Sequence, residues 1–360
     1  MRYNKLGRTG LLVSELSLGT MTFGKSQWGA IGGVDQTGAE QIIRCGLDAG
    51  VNLLDTADVY SNGQSEEITG FALRNLGVRR HDVLVSTKTF GQASGGQNDR
   101  GSSRAHILDS LHASLKRMKL DYVDLYQLHG FDPLTPMEES LRALDHLVRQ
   151  GAVRYIGVSN WAAWQIAQAM GVTERLGLSP LSSLQAYYSL AGREIEHEIG
   201  PLVSATGLGL VCWSPLAGGM LSGKFDRDSE GDKQARRATT PFPPLDLDRT
   251  YDLIDELRSI AAPHDASPAQ IALAWLLHRK TVSTVLLGAK RLEQLEDNLG
   301  ATTIELKQSD LDRLDAVSKL ASIYPQWMQE VFDGGRSEQI ASLGQRNRLS
   351  LGNRSFQREV

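Results

Sequence analysis

The chain has 360 residues, 41% apolar and 22% charged, with a formal charge of −4, so neither nucleic acid nor an anionic membrane is expected as a partner. No apolar run reaches the roughly 18 residues of a membrane span, and the opening MRYNKLGRTG lacks the apolar stretch of a secretory leader. Cys45 and Cys212 stand apart with no C-x-x-C, as expected of two buried thiols in a reducing cytoplasm.

In chain order, RYNKLGRTGLLVS reads as a hairpin with Gly7 to Gly10 in its turn. Apolar, β-rich runs then recur: VSELSLGT (13–20), VNLLDTA (51–57), DVLVSTK (82–88), YVDLYQLH (122–129), RYIGVSN (154–160), LSSLQAYY (181–188), LGLVCWSPL (208–216) and TVLLGA (284–289). Helical segments separate them. TGAEQIIRCGLDAG puts Ile42, Ile43, Cys45, Gly46 and Ala49 near one face, with Gly50 as a stop. SRAHILDSLHASLKRMKL starts at a Ser cap and spaces Ile107, Leu108, Leu111, Leu115 and Met118 helically, ending near Leu120. Short strands alternating with helices argue for βαβ units and a parallel sheet. Eight such strands with no second cluster favour a closed α/β barrel, one domain over 1–330. Residues 331–360 are expected to form a polar, partly disordered tail. Two irregular stretches, 91–103 and about 224–249, follow strand ends on the face where barrels place their chemistry, and so are expected as functional lids or disordered insertions.

That face would gather several reactive groups. Asp55 ends the second strand, with Tyr60 five residues on; Lys88 ends the third and His129 the fourth. Ser159 and Asn160 end the fifth, Gln185 lies on the sixth, and Trp213 and Ser214 end the seventh. Singly, each has an ordinary explanation: a helix cap, a solvated charge, a structural histidine, a core indole. Together on one rim they make chemical sense. A phenol is a weak acid, with an ordinary pKa of ~10, and a cation such as Lys88 beside Tyr60 is expected to lower it. Asp55 would orient Lys88 and offset the cost of burying its charge. His129 would aim a ring N–H at a carbonyl oxygen, polarising the carbon for attack and stabilising the developing alkoxide. The attacking group is left open by these residues. No thiol or Ser-His-Asp arrangement suggests acyl transfer, and no His or carboxylate spacing suggests a metal. In SPLAGGMLSGKF (214–225), Gly218, Gly223 and Lys224 satisfy G-x-x-x-x-G-K. Phe225, however, stands where a triphosphate loop needs Ser or Thr for Mg²⁺.

These residues resemble the aldo-keto reductase family. The resemblance runs from about residue 2 to 330, through VNLLDTADVYSNGQSEEITG, LVSTK, DYVDLYQLH, YIGVSNW, the Gln185 strand, VCWSPLAGGMLSGKF and GAKRLEQLEDNLGA. The wording DTADVY followed by GQSEE is nearer the branch containing bacterial reductases and potassium-channel β subunits than the aldose-reductase branch.

The resemblance implies a TIM barrel that binds NADPH without a Rossmann domain and reversibly reduces an aldehyde or ketone. It supplies the missing attacker, a hydride from the cofactor, and a catalytic tetrad of Asp55, Tyr60, Lys88 and His129, with Asp55 also counted beside the cofactor. It implies that Ser159, Asn160 and Gln185 hold the nicotinamide carboxamide and that the Trp213 ring stacks on the nicotinamide. Gly19, Thr20 and Met21 would line the ribose. Ser214, Leu216 and Gly218 would follow the pyrophosphate, with Lys224 near the segment that closes over it. At the adenosine end stand Gly288, Lys290, Arg291, Gln294 and Asn298, the two cations favouring NADPH over NADH. Gly130 departs from the family, where many members carry a bulky Trp or Arg, and this is expected to widen the pocket or open it to a loop. Phe23, Trp28, Phe90, Tyr324 and Trp327 are expected as apolar walls, with Tyr60 and His129 facing the substrate. The same branch implies an alternative, an NADP(H)-sensing subunit that turns over slowly. The sequence names neither the carbonyl compound nor an oligomeric state.

Overall fold

The computed structural model describes residues 1–25, 31–92, 95–227, 237 and 240–332. Strand β1 (Tyr3–Lys5) pairs antiparallel with β2 (Leu12–Ser14). Eight parallel strands follow: β3 (Leu16–Gly19), β4 (Leu53–Asp55), β5 (Leu84–Thr89), β6 (Val123–Leu128), β7 (Val153–Ser159), β8 (Leu181–Tyr187), β9 (Gly209–Trp213) and β10 (Val282–Leu287). They pair in chain order, and β10 returns to β3, closing a (β/α)8 TIM barrel capped by the N-terminal hairpin.

The run 13–20, expected as one strand, is two. At Glu15 the chain leaves the hairpin and joins the barrel, pairing Leu16 with Val285. The Glu15 carboxylate is buried there and accepts from the Arg2 backbone N–H at 3.0 Å and from Arg2 Nε at 2.7 Å. Two other strands stop earlier than expected because Asn160 (φ 59) and Ser214 (φ 51) have left-handed backbone, which cannot extend a strand.

Helices α1 (Gln36–Asp48), α2 (Gln64–Asn75), α3 (Arg104–Met118), α4 (Met137–Arg149), α5 (Ala163–Leu176), α6 (Ile199–Thr206), α7 (Leu247–Ala261), α8 (Pro268–Leu277), α9 (Leu292–Leu299) and α10 (Gln308–Ser318) lie among the described residues. In α1 the buried face is Ala39, Ile42, Ile43 and Gly46, while Ala49 is exposed and Gly50 (φ 91) ends the helix. The Ser103 hydroxyl caps α3 by accepting from the His106 N–H at 3.2 Å. At the other end Lys119 turns left-handed (φ 58), one residue before the expected stop.

Side-chain alternation divides the core in two. Leu16, Leu18, Leu54 and Val85 face outward to the helices, in the large cluster. Inside, Leu53, Leu125, Val211 and Leu286 meet Leu6 and Val13 of the hairpin, which plug the N-terminal end of the barrel. Gly7 makes that approach possible: a Cβ there would stand 2.4 Å from the Gly209 backbone nitrogen. Burying Leu6 contributes on the order of 2 kcal/mol. Above the plug the inward positions turn polar, with Ser17, Ser86, Gln127, Ser183 and Thr284 all buried. The opposite, C-terminal end is left open as a bowl. No described helix is long and apolar enough to cross a membrane. The chain is helical again over 326–332, and the tail from 333 onward lies outside the described residues.

Candidate active site at the C-terminal rim

Three strand ends, with the turn after the first, bring Asp55, Tyr60, Lys88 and His129 together. Strand β4 ends at Asp55, Lys88 is the penultimate residue of β5, and His129 follows β6 directly. Lys88 is fully buried, and its ammonium donates to Asp55 Oδ2 at 2.6 Å, to the Thr56 carbonyl at 2.7 Å and to Tyr60 Oη at 3.2 Å. Three donors meet three oxygens, so the buried charge is satisfied. An ammonium can only donate; it holds the Tyr60 oxygen and leaves the phenol's own proton for an acceptor in the cavity. The Tyr60 and His129 rings meet edge to face, with centroids 5.8 Å apart.

Burial decides the charge states. It raises the Tyr60 pKa above its ordinary value, outweighing the opposing pull of Lys88, which corrects the expectation that Lys88 would lower it. For Lys88, burial opposes the charge, but the attraction of Asp55 and Tyr60 exceeds it and the ammonium is held. Burial, and then Lys88, push His129 down to about 3, so its ring is neutral near neutral pH and carries one N–H.

Around these groups lies one cavity of about 760 Å³, within the range of small-molecule and cofactor sites. Of the cofactor residues expected from sequence, Gly19, Met21, Asp55, Ser159, Asn160, Gln185, Trp213, Ser214, Leu216, Gly218, Lys224, Gly288, Lys290, Arg291, Gln294 and Asn298 line it. Asn160 is engaged at both ends of its amide: Nδ2 donates to the His129 carbonyl at 3.0 Å, and Oδ1 accepts from Trp213 Nε1 at 3.1 Å. It thereby ties the imidazole segment to the indole. The Trp213 ring packs on Tyr187 at 5.1 Å and lies parallel to Phe242 at 5.7 Å. Gln294 Oε1 accepts from the Lys290 and Arg291 N–H groups at 3.1 and 3.3 Å, capping α9.

The glycine-rich segment after β9 is a series of tight turns, left-handed at Ser214, Ala217, Gly218 and Gly219. Its N–H groups serve the turns themselves: Gly218 donates to Ser214 Oγ at 3.0 Å and Gly219 to the Leu216 carbonyl at 2.9 Å. A Cβ at Gly218 would meet the Phe242 carbonyl at 2.7 Å, so this glycine lets the 240–243 segment close down. Nothing lies within 4 Å of a Cβ built at Gly219 or Gly288, both of which open onto the cavity.

Other expected residues lie elsewhere. Thr20 is buried beneath the floor, its hydroxyl 2.8 Å from Ser65 Oγ and its N–H on the Asp55 carbonyl at 2.9 Å. Phe23 is 1% exposed and belongs to the outer core, so its ring does not reach the cavity. Phe90 does not line it either; its ring sits 3.5 Å from where a Gly130 Cβ would be, so the space above Gly130 is filled by the neighbouring loop. Tyr324 and Trp327 pair with each other at the surface, 71% and 45% exposed. Trp28 lies outside the described residues, as do 93–94, 228–236 and 238–239 of the two long loops. Sequence reasoning missed Thr22, Ile31, Pro215, Gly219, Thr240, Phe242, Leu286 and Leu287, which also line the cavity. Phe242 falls in the irregular stretch of about 224–249, but no periodicity showed which of its side chains turns inward. Among the described residues no group of three His, Cys, Asp or Glu could hold a metal ion.

The rim of this TIM barrel thus sets a buried acid–ammonium pair under a phenol, with an imidazole beside it. Residues 15–319 match the model of the aldo/keto reductase family, and the chain belongs to that family. It is 40% identical over 325 residues (88% of this chain and 96% of the relative) to a rice (Oryza sativa subsp. japonica) protein named probable voltage-gated potassium channel subunit beta. An Arabidopsis thaliana protein of the same name is 39% identical over 310 residues, covering 84% of this chain and 92% of its own length. A putative channel subunit beta of Schizosaccharomyces pombe is 36% identical over 324 residues, covering 87% and 92%.

One buried carboxyl beside the site stands apart from the tetrad. Asp58 is 1% exposed; its Oδ2 accepts from Ser110 Oγ at 2.9 Å, and its Oδ1 has no partner. Burial pushes its pKa up to about 7; Glu66 adds to the rise, while Ser110, Thr89 and Arg117 oppose it. The folded protein thus holds a proton that the unfolded chain has lost, and stability falls as pH rises from about 4 to about 7. Asp58→Asn should melt at nearly the wild-type temperature near pH 4 and higher than wild type, by about 2 °C or more, near pH 8. Thermal melts at the two pH values check this; a difference independent of pH would contradict it.

Proposed function

We propose that the chain reduces an aldehyde or ketone to the alcohol, reversibly, with NADPH. The observation that carries this is one cavity running from Asp55, Tyr60 and His129, with Lys88 buried behind them, to a basic end at Lys290 and Arg291. Its chemistry suits a dinucleotide: a flat indole, side-chain-free backbone at Gly219, and cations beside the open backbone of Gly288. Ser159, Asn160, Gln185 and Trp213 would hold the nicotinamide end. Gly19 and Met21 would contact the ribose, Ser214, Leu216, Gly218 and Lys224 the diphosphate, and Gly288, Lys290, Arg291, Gln294 and Asn298 the adenosine phosphate. When bound, the reduced cofactor supplies the hydride.

The chain's own residues supply the rest. Tyr60 gives its proton to the carbonyl oxygen, and burial keeps that proton in place until the oxygen gains charge. Lys88 then stabilises the phenolate it touches, and Asp55 keeps Lys88 charged and aimed. Neutral His129 offers an N–H to the same oxygen. The names of the relatives favour a second reading, in which the cofactor-loaded chain modulates a channel partner and turns over slowly.

Tyr60→Phe should abolish carbonyl reduction, lowering kcat by at least roughly 100-fold, with NADPH affinity nearly unchanged. Steady-state rates and a fluorescence titration of the cofactor test this; wild-type turnover in the variant would refute the mechanism. Lys290→Ala and Arg291→Ala together should weaken NADPH by about tenfold or more and NADH little, since charged hydrogen bonds to the extra phosphate are lost. Equal weakening of both cofactors would remove that assignment.

A further inference from the structure

Asp55 is served by more donors than it needs at one moment. Its Oδ2 takes the Lys88 ammonium, while two carboxamides address Oδ1: Gln185 Nε2 at 3.1 Å and Gln127 Nε2 at 3.4 Å. The two differ in access. Gln185 lines the cavity; Gln127 is 0% exposed in the polar layer below, with its other bond to Ser86 Oγ at 2.9 Å. The fold makes room for Gln127, because a Cβ on Gly157 would stand 3.3 Å from its Cγ and 2.5 Å from Ser183 Oγ. It also carries a cost there: Gln127 Oε1 is buried without a hydrogen-bond partner, which a leucine at this position would avoid. What Gln127 offers at that cost is its amide N–H groups, which address Asp55 and Ser86.

We infer that Gln127 is a positioning residue, the permanent holder of Asp55 Oδ1 that lets Gln185 turn away to a ligand amide in the cavity. The inference rests on the cofactor reading above. In the structure both amides serve the carboxylate. A carboxamide group arriving beside Ser159 and Asn160 competes for Gln185, which can leave only if Oδ1 keeps another donor, since a buried carboxylate oxygen without one is strongly disfavoured. Gln127 provides it from below, out of reach of the ligand. Asp55 then holds Lys88, and through it Tyr60, when a ligand takes Gln185.

The test is a double-mutant cycle read as NADPH dissociation constants by fluorescence, independent of turnover, on wild type, Gln127→Met, Gln185→Met and the double variant. Gln127→Met should weaken NADPH by roughly tenfold, because Gln185 must then choose between Asp55 and the cofactor. In the Gln185→Met background, where no such choice exists, the same change should alter affinity by less than about twofold. A merely structural loosening would weaken binding by the same factor in both backgrounds, and that result, or wild-type affinity in Gln127→Met, would overturn the inference. If Gln127→Met does not fold, Gln127→Asn, whose shorter amide withdraws from Asp55, replaces it in the cycle with the same expectation. Absence of NADPH binding by the wild type would overturn the cofactor reading and this role with it; binding with equal losses overturns this role alone.

Discussion

A single buried charge organises the rim of this barrel. The Lys88 ammonium has no contact with solvent and depends on Asp55, the Thr56 carbonyl and Tyr60 for its three hydrogen bonds. An uncompensated ammonium at that depth would cost several kcal/mol, so the acceptors must be fixed before the charge can be kept. Much of the neighbouring structure does that fixing. Thr20 and Ser65 bind each other and the backbone around Asp55, Gln127 and Gln185 address its free oxygen, and the Asp58 N–H anchors the turn before Tyr60 to the Lys88 carbonyl at 3.1 Å. The consequence is a phenol whose oxygen is held and whose proton is not.

The same burial sets the chemistry. A cation beside a phenol lowers its pKa in water-like surroundings, but here the loss of solvent is the larger effect and the phenol keeps its proton more firmly than usual. In the proposed reaction Lys88 would matter less for loosening the proton than for stabilising the anion once the proton has gone. His129, neutral for the same reason, remains a donor across the working pH range.

Much of the architecture was legible because it is periodic. Eight apolar runs separated by helical stretches gave the barrel, and the hairpin before them was marked by Gly7 and Gly10. The run 13–20 concealed a change of partner at Glu15, since both halves are apolar and only the Arg2–Glu15 contact separates them. At the site, residues at strand ends could be placed on one face by counting, and so Asp55, Lys88, His129 and Gln185 were visible from the sequence. Loop side chains follow no period. Phe23 and Phe90 looked like pocket walls and turn instead to the core and to Gly130, whereas Phe242 and Thr240, unmarked in the sequence, line the cavity. The glycine-rich SPLAGGMLSGKF illustrates the limit of a motif: its glycines use their N–H groups within the turns and contribute open space and close approach rather than a ring of donors.

The central claim is that this rim performs carbonyl reduction rather than merely retaining a nucleotide. Nicotinamide absorbance followed under excess NADPH, with a panel of aromatic aldehydes, sugars, methylglyoxal and cyclic ketones, tests it most directly. The account predicts that at least one carbonyl compound is consumed over many turnovers per protein molecule. Oxidation of no more than one cofactor equivalent per site by every compound, with the nucleotide held tightly throughout, would contradict it.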